Sequence, residues 1–182
     1  MASGDINAEY VLQNASVLDV PFIFELMMEG SQRGAFSYSF LSGTGSLQLF
    51  LIIFIGVLLR RAWPRRLGLR ASWLIVTIGK EALGFMRVVT LQQTAEQVHK
   101  EVSFFALDPR YRGKGHGKKV LQLFIRNLGE GSTVVAYCTK YSRPMQKILK
   151  AGGFTRNPKS GYSVEEYRLL VQNRLFTPAK SP

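Results

Sequence analysis

The spacing of apolar residues changes period several times along the chain, and each change predicts an element. Residues 8–15 alternate as an opening strand. Asp19 then stands as a helix cap, with Pro21 in the first turn and Phe22, Ile23, Leu26 and Met27 returning on one face. Residues 73–78 and 82–90 flank Gly79-Lys80-Glu81 and read as a hairpin, followed by a polar connection over 92–97 and a strand over 98–107. Gly117, Val120, Leu121, Phe124, Ile125 and Leu128 recur at helical spacing. A buried strand over 133–138 precedes a helix that Pro144 opens and Gly152-Gly153 stops, with Met145, Ile148 and Leu149 inward. Residues 154–157 and 166–171 form a closing hairpin. The pattern is that of an α/β layered fold in one domain, residues 1–172, with a loose tail over 173–182.

One stretch breaks the pattern. No charge occurs between Arg33 and Arg60, and the segment from Leu47 to Leu59 is almost wholly apolar. About thirteen residues fall short of the roughly 20 that a membrane span requires. Extension back to Phe36 would admit Ser42, Gly43, Thr44, Gly45 and Ser46. The segment therefore predicts an unusually apolar second helix, either buried, packed on a second subunit as in a homodimer, or dipping into a membrane interface.

Charge sharpens this picture. The net charge is +12, yet residues 1–59 carry only Arg33 against five acids. The remaining chain holds net +16, including Arg60, Arg61, Arg65, Arg66 and Arg70 around Trp63 and Pro64. Such a cluster suits tRNA or another nucleic acid, an anionic membrane surface, an acidic partner, or a solvated turn. A single cysteine, Cys138, excludes an internal disulfide and a cysteine-based zinc site, and no metal site is expected. Asp5 and Glu9 stand where a secretory signal would be positive. The expected location is cytoplasmic, with a peripheral position at the inner face of a membrane as the alternative.

The candidate chemistry lies in Arg112-Gly113-Lys114-Gly115-His116-Gly117, between the strand ending at Leu107 and an amphipathic helix. Three glycines in five residues let backbone N–H groups turn inward, and the helix adds its positive end. Five cations lie between Arg110 and Lys119, as a pyrophosphate and a ribose phosphate would require. A dinucleotide fingerprint is excluded because the third glycine comes one residue early. A nucleoside-triphosphate loop is excluded because Lys118 is followed by Lys119 and not by a hydroxyl.

What remains, R-x-x-G-x-G on Arg112, Gly115 and Gly117, resembles the acetyl-CoA loop of the GNAT N-acetyltransferase superfamily. The likeness extends to residues 105–111 before it and to a helix ending in Gly153-Phe154 after it, over roughly residues 73–171. It implies a mixed, mostly antiparallel sheet flanked by helices and an acyl-CoA-dependent N-acyltransferase that uses acetyl-CoA and an amine acceptor. By the same resemblance, backbone groups of Phe105, Ala106 and Leu107 hold the pantetheine arm, the 112–117 loop holds the phosphates, and Ser142 stands at the cofactor contact where many members carry an asparagine. Glu101, five residues before Ala106, matches the catalytic glutamate of the histone-acetyltransferase branch. A strand's period of two puts it on one face with Ser103 and with His99, the reserve base.

The departure is at Leu149, where many members carry the tyrosine that protonates the leaving thiolate. Leucine donates no proton. Solvent helps the thiolate leave, or Tyr141 at the mouth of the same helix replaces the missing tyrosine, or the protein binds CoA as an interaction module with weak turnover. The acceptor is open: a polyamine, an antibiotic, a protein amine or aminoacyl-tRNA.

Overall fold

The computed structural model describes residues 9–59, 70–94, 97–158 and 164–172. Seven strands run β1 (Tyr10–Asn14), β2 (Arg70–Ile78), β3 (Glu81–Gln93), β4 (Val98–Leu107), β5 (Thr133–Thr139), β6 (Thr155–Arg156) and β7 (Val164–Leu170). Among the described residues four α-helices, α1 (Val20–Gln32), α2 (Gly43–Leu58), α3 (His116–Arg126) and α4 (Arg143–Ala151), accompany these strands. The sheet order is β1-β2-β3-β4-β5-β7-β6, and β4–β5 is its one parallel pair among the described residues. This is the mixed, mostly antiparallel sheet flanked by helices that the sequence implies.

The strand alternation decides which layer each residue joins. Val76, Leu83, Met86, Val88 and Val102 point into one core with Val120, Leu121, Phe124 and Ile125 of α3 and Leu149 of α4. Trp73, Ile75 and Phe85 point the other way, to Ile23, Leu26 and Met27 of α1 and Leu49, Ile53 and Val57 of α2. Each such side chain contributes about 1.5–3 kcal/mol by leaving water.

Two helix starts refine the sequence expectation. Asp19 stands at the N-cap of α1 as expected, with Pro21 in the first turn, but its carboxylate makes no capping bond to the helix; it accepts instead from the N–H and hydroxyl of Ser16 at 2.7 Å, closing a 3-10 turn that leads into α1. Helix α2 begins at Gly43, ahead of the expected Leu47, because the Ser42 hydroxyl accepts from Gly45 N–H at 3.0 Å. Burial of Leu49, Ile53 and Val57 leaves Leu47, Leu51, Ile52, Ile55 and Leu58 exposed on its outer face. Among the described residues no helix is long and apolar enough to cross a membrane. The arginines from 60 to 66 and the tail from 173 lie outside the described residues, and Arg70 opens β2.

Candidate active site

Strands β4 and β5 pair only from His99–Thr133 to Val102–Ala136. Beyond that point β4 continues to Leu107 along β3, and β5 continues to Thr139 along β7. The strands part, so Phe105, Ala106 and Leu107 present a β5-side edge without a ladder partner among the described residues. A register shift between Arg87 and Val88 marks the bulge at Ser103, where the separation starts. Apart from the Leu107 carbonyl, which Arg112 Nε satisfies, such an edge needs amide-like partners, and a pantetheine arm carries two amides.

The β4 end leads directly into the glycine loop. Asp108 anchors it, accepting from Arg110 N–H at 2.9 Å and from the Arg110 guanidinium, which holds its carboxyl below the usual range. Gly113 and Gly115 adopt φ of 75° and 83°, a left-handed conformation natural to glycine, and a Cβ on either would meet nothing within 4 Å. Gly115 is the N-cap of α3, so this open, side-chain-free surface lies at a helix N-terminus. Gly117 also has a packing role: it is buried, and a Cβ there would lie 2.8 Å from Ile148 Cδ1.

The loop's cations divide by function. Arg110 is tied to Asp108, and the Lys119 ammonium lies 5.8 Å from the Tyr10 ring centroid. Arg112 turns inward: Nε donates to the Leu107 carbonyl at 2.7 Å, and the guanidinium forks onto both carboxylate oxygens of Glu29 on α1. Arg33 joins the same carboxylate at 2.7 Å, and the Arg112 hydrogen bond holds the Glu29 carboxyl below its ordinary range. Lys114 and Lys118 are exposed and, among the described residues, have no ion pair. His116 stacks edge-on against Tyr111 and hydrogen-bonds Tyr10 through Nδ1 at 2.7 Å. Burial, then Lys119 and Lys114, push its pKa down.

On the opposite face of the sheet, Ser103 Oγ donates to Glu101 Oε1 at 2.6 Å. Glu101 faces Val89 on β3 and Val135 on β5, one step from Tyr137. Burial, followed by the charges of Glu166 and Glu101, raises the Tyr137 phenol pKa, so it stays protonated at neutral pH. Tyr141 lies elsewhere. Thr139 is four residues past Val135, about 13 Å along the strand, so Glu101 and Tyr141 flank the gap from opposite ends.

Tyr141 is 55% exposed, with Lys140 Nζ 5.1 Å from its ring centroid. Nearby, Thr139 Oγ1 donates to the Gly34 carbonyl at 2.9 Å and lies 3.1 Å from Ser142 Oγ, so the turn after α1 bridges the mouth of the gap. Ser142 caps α4 at this bridge. Leu149 is 0% exposed in the α3–α4 core. Cys138 is also buried, and its thiol is pushed up to about 12, first by burial and then by Glu165. Among the described residues no group of histidine, cysteine and carboxylates is placed to hold a metal.

The sequence model of the acetyltransferase (GNAT) family matches residues 53–154, more than half of the chain. The chain belongs to the GNAT family. Structural neighbours agree in fold. An acetyltransferase from Thermus thermophilus superposes with a TM-score of 0.60 at 19% identity, covering 88% of this chain and 96% of its own. A Vibrio cholerae spermidine N-acetyltransferase, solved with CoA and spermine, gives 0.62 at 11% identity, covering 89% and 95%. A Salmonella typhimurium acetyltransferase that modifies the N-terminal serine of a 50S ribosomal subunit protein gives 0.61 at 14%, covering 90% and 95%. No curated protein matches the chain.

Within this GNAT frame, sequence reasoning missed Glu29, Arg87 and Tyr137. Arg87 carried a signal, a cation between Met86 and Val88 in an apolar strand. Glu29 carried none, since its partner is 83 residues away.

Proposed function

We propose that this protein transfers an acetyl group from acetyl-CoA to an amine by direct attack. The observation that carries the reading is the parting of β4 from β5 directly above a loop whose two left-handed glycines cap α3. The residues present fit the cofactor: the open edge of Phe105, Ala106 and Leu107 suits the pantetheine amides, and the main chain of 113–117 with Lys114 and Lys118 suits the phosphates. Bound there, acetyl-CoA supplies an activated thioester.

The chain's own groups then act on the acceptor. Glu101, oriented by Ser103, accepts the amine proton as the acceptor nitrogen forms its bond to the acyl carbon. Backbone N–H near Phe105 to Leu107 would polarise the carbonyl oxygen as the carbon–sulfur bond breaks, and solvent or Tyr141, at the far lip of the gap, would return a proton to the leaving thiolate. Arg112 acts through Glu29, fixing the loop to α1, and its side chain is a positioning group.

The buried Leu149 favours a second reading, a CoA-binding interaction module with slow turnover. Free-thiol release from acetyl-CoA, measured across a panel of amines beside calorimetric CoA binding, separates the two. Amine-dependent thiol release is expected. CoA binding without it would establish the module, and absence of CoA binding would overturn both.

A further inference from the structure

Arg87 on β3 and Glu101 on β4 share the sheet face that carries α1 and α2. Arg87 faces Phe104 and Val89 faces Glu101, so the two charged side chains are diagonal neighbours across the bulge at Ser103. No ion pair within 4.0 Å joins them among the described residues. Arg33, Arg110, Arg112, Arg156 and Arg168 each hold a carboxylate at salt-bridge distance, and Arg87 does not.

Aromatic rings hold Arg87 in place of a carboxylate. Its guanidinium carbon lies 5.6 Å from the Trp73 ring centroid and 5.8 Å from that of Phe104, and those rings stack at an interplanar angle of 13°. Its Nε is buried without a hydrogen-bond partner. Burial lowers the Arg87 pKa, and Glu101 opposes that shift. A guanidinium fixed by its faces with a donor unmade is organised to receive a planar or tetrahedral anion. Beside it, Glu101 is organised to receive an amine.

We propose that the acceptor is an amine carrying its own anionic group, carboxylate or phosphate, with the amine at Glu101 and the anion at Arg87. The proposal rests on the acetyl-transfer reading for which end reacts. A molecule with only a few bonds between amine and anion spans the two side chains.

Matched acceptors test it: glycine against methylamine, phenylalanine against 2-phenylethylamine, and phosphoethanolamine against ethanolamine, read by thiol release and by calorimetry on the CoA-loaded protein. The anionic members of at least one chemistry, carboxylate or phosphate, should exceed their bare counterparts about tenfold or more in kcat/KM. Arg87→Met should bring that ratio near one through KM, and Arg87→Lys should restore part of it. Equal use of both members, or a preference that survives Arg87→Met, would overturn the proposal. If no acceptor releases thiol while CoA still binds, the transfer reading fails alone and the calorimetric preference decides: tighter, Arg87-dependent binding of the anionic members supports the site, and equal binding removes it.

Discussion

The two ends of β4 are built on different principles. At Leu107 the strand enters a surface made of main chain: left-handed glycines, a helix N-terminus and an anchoring aspartate within ten residues of one another. Around Glu101 the surface is made of side chains from several strands, with Arg87 from β3, Ser103 from β4 and Tyr137 from β5. A main-chain site tolerates truncation of its side chains and fails when its conformation or space is filled. A side-chain site fails when a single functional group is removed, and the fold survives.

The largest effect that separates the two ends is expected at Gly117. It reads from sequence as a phosphate-loop glycine, and it is also buried, with a Cβ there lying 2.8 Å from the Cδ1 end of the partly buried Ile148. Gly117→Asp should therefore cost several kcal/mol, of order 3 or more, by burying an unpartnered carboxylate and forcing α3 from α4. A melting curve like that of the unaltered protein would contradict this packing role.

At the other end, Glu101→Gln should keep the fold and CoA affinity and lower turnover about 10²-fold, the scale of a lost general base. A loss below about threefold across the pH range would remove Glu101 from the reaction and leave water or the backbone as the base.

A smaller effect joins the ends. Glu29→Gln breaks the fork from Arg112 and should cost about 1–2 kcal/mol in urea unfolding, reduced by the partial exposure of both groups. The folded Glu29 pKa is depressed by Arg112, so its contribution is present above the unfolded glutamate pKa and is lost as pH falls through the folded value. The gap between the two proteins should close on acidification. A gap that is constant with pH would mean that the ion pair is not its source.

The same contrast explains what the sequence made legible. The Leu107 end depends on neighbours within one short segment, so its glycine spacing, strand bounds and helix periodicity are all visible in order. The inward position of Leu149 and the packing nature of Cys138 were readable for the same reason, since each needs only an element's inward face. The Glu101 end depends on pairing across strands. That Arg87 lies diagonal to Glu101, and that Tyr137 stands one step from Glu101's partner Val135, follows from register and a bulge that no local pattern encodes. Arg112 shows the limit within the motif itself: its position was legible, but its side chain is committed to Glu29, on a helix distant in sequence.

The central claim is that main chain around Gly113 and Gly115 holds the cofactor's phosphates. The most direct test is calorimetric titration of CoA into the unaltered protein and into Gly115→Asp, with circular dichroism confirming that both are folded. CoA binding should be lost, or weakened about 100-fold or more, when a carboxylate is added beside the loop's main chain at a site with open space around it. Equal CoA affinity in a folded Gly115→Asp protein would contradict the claim.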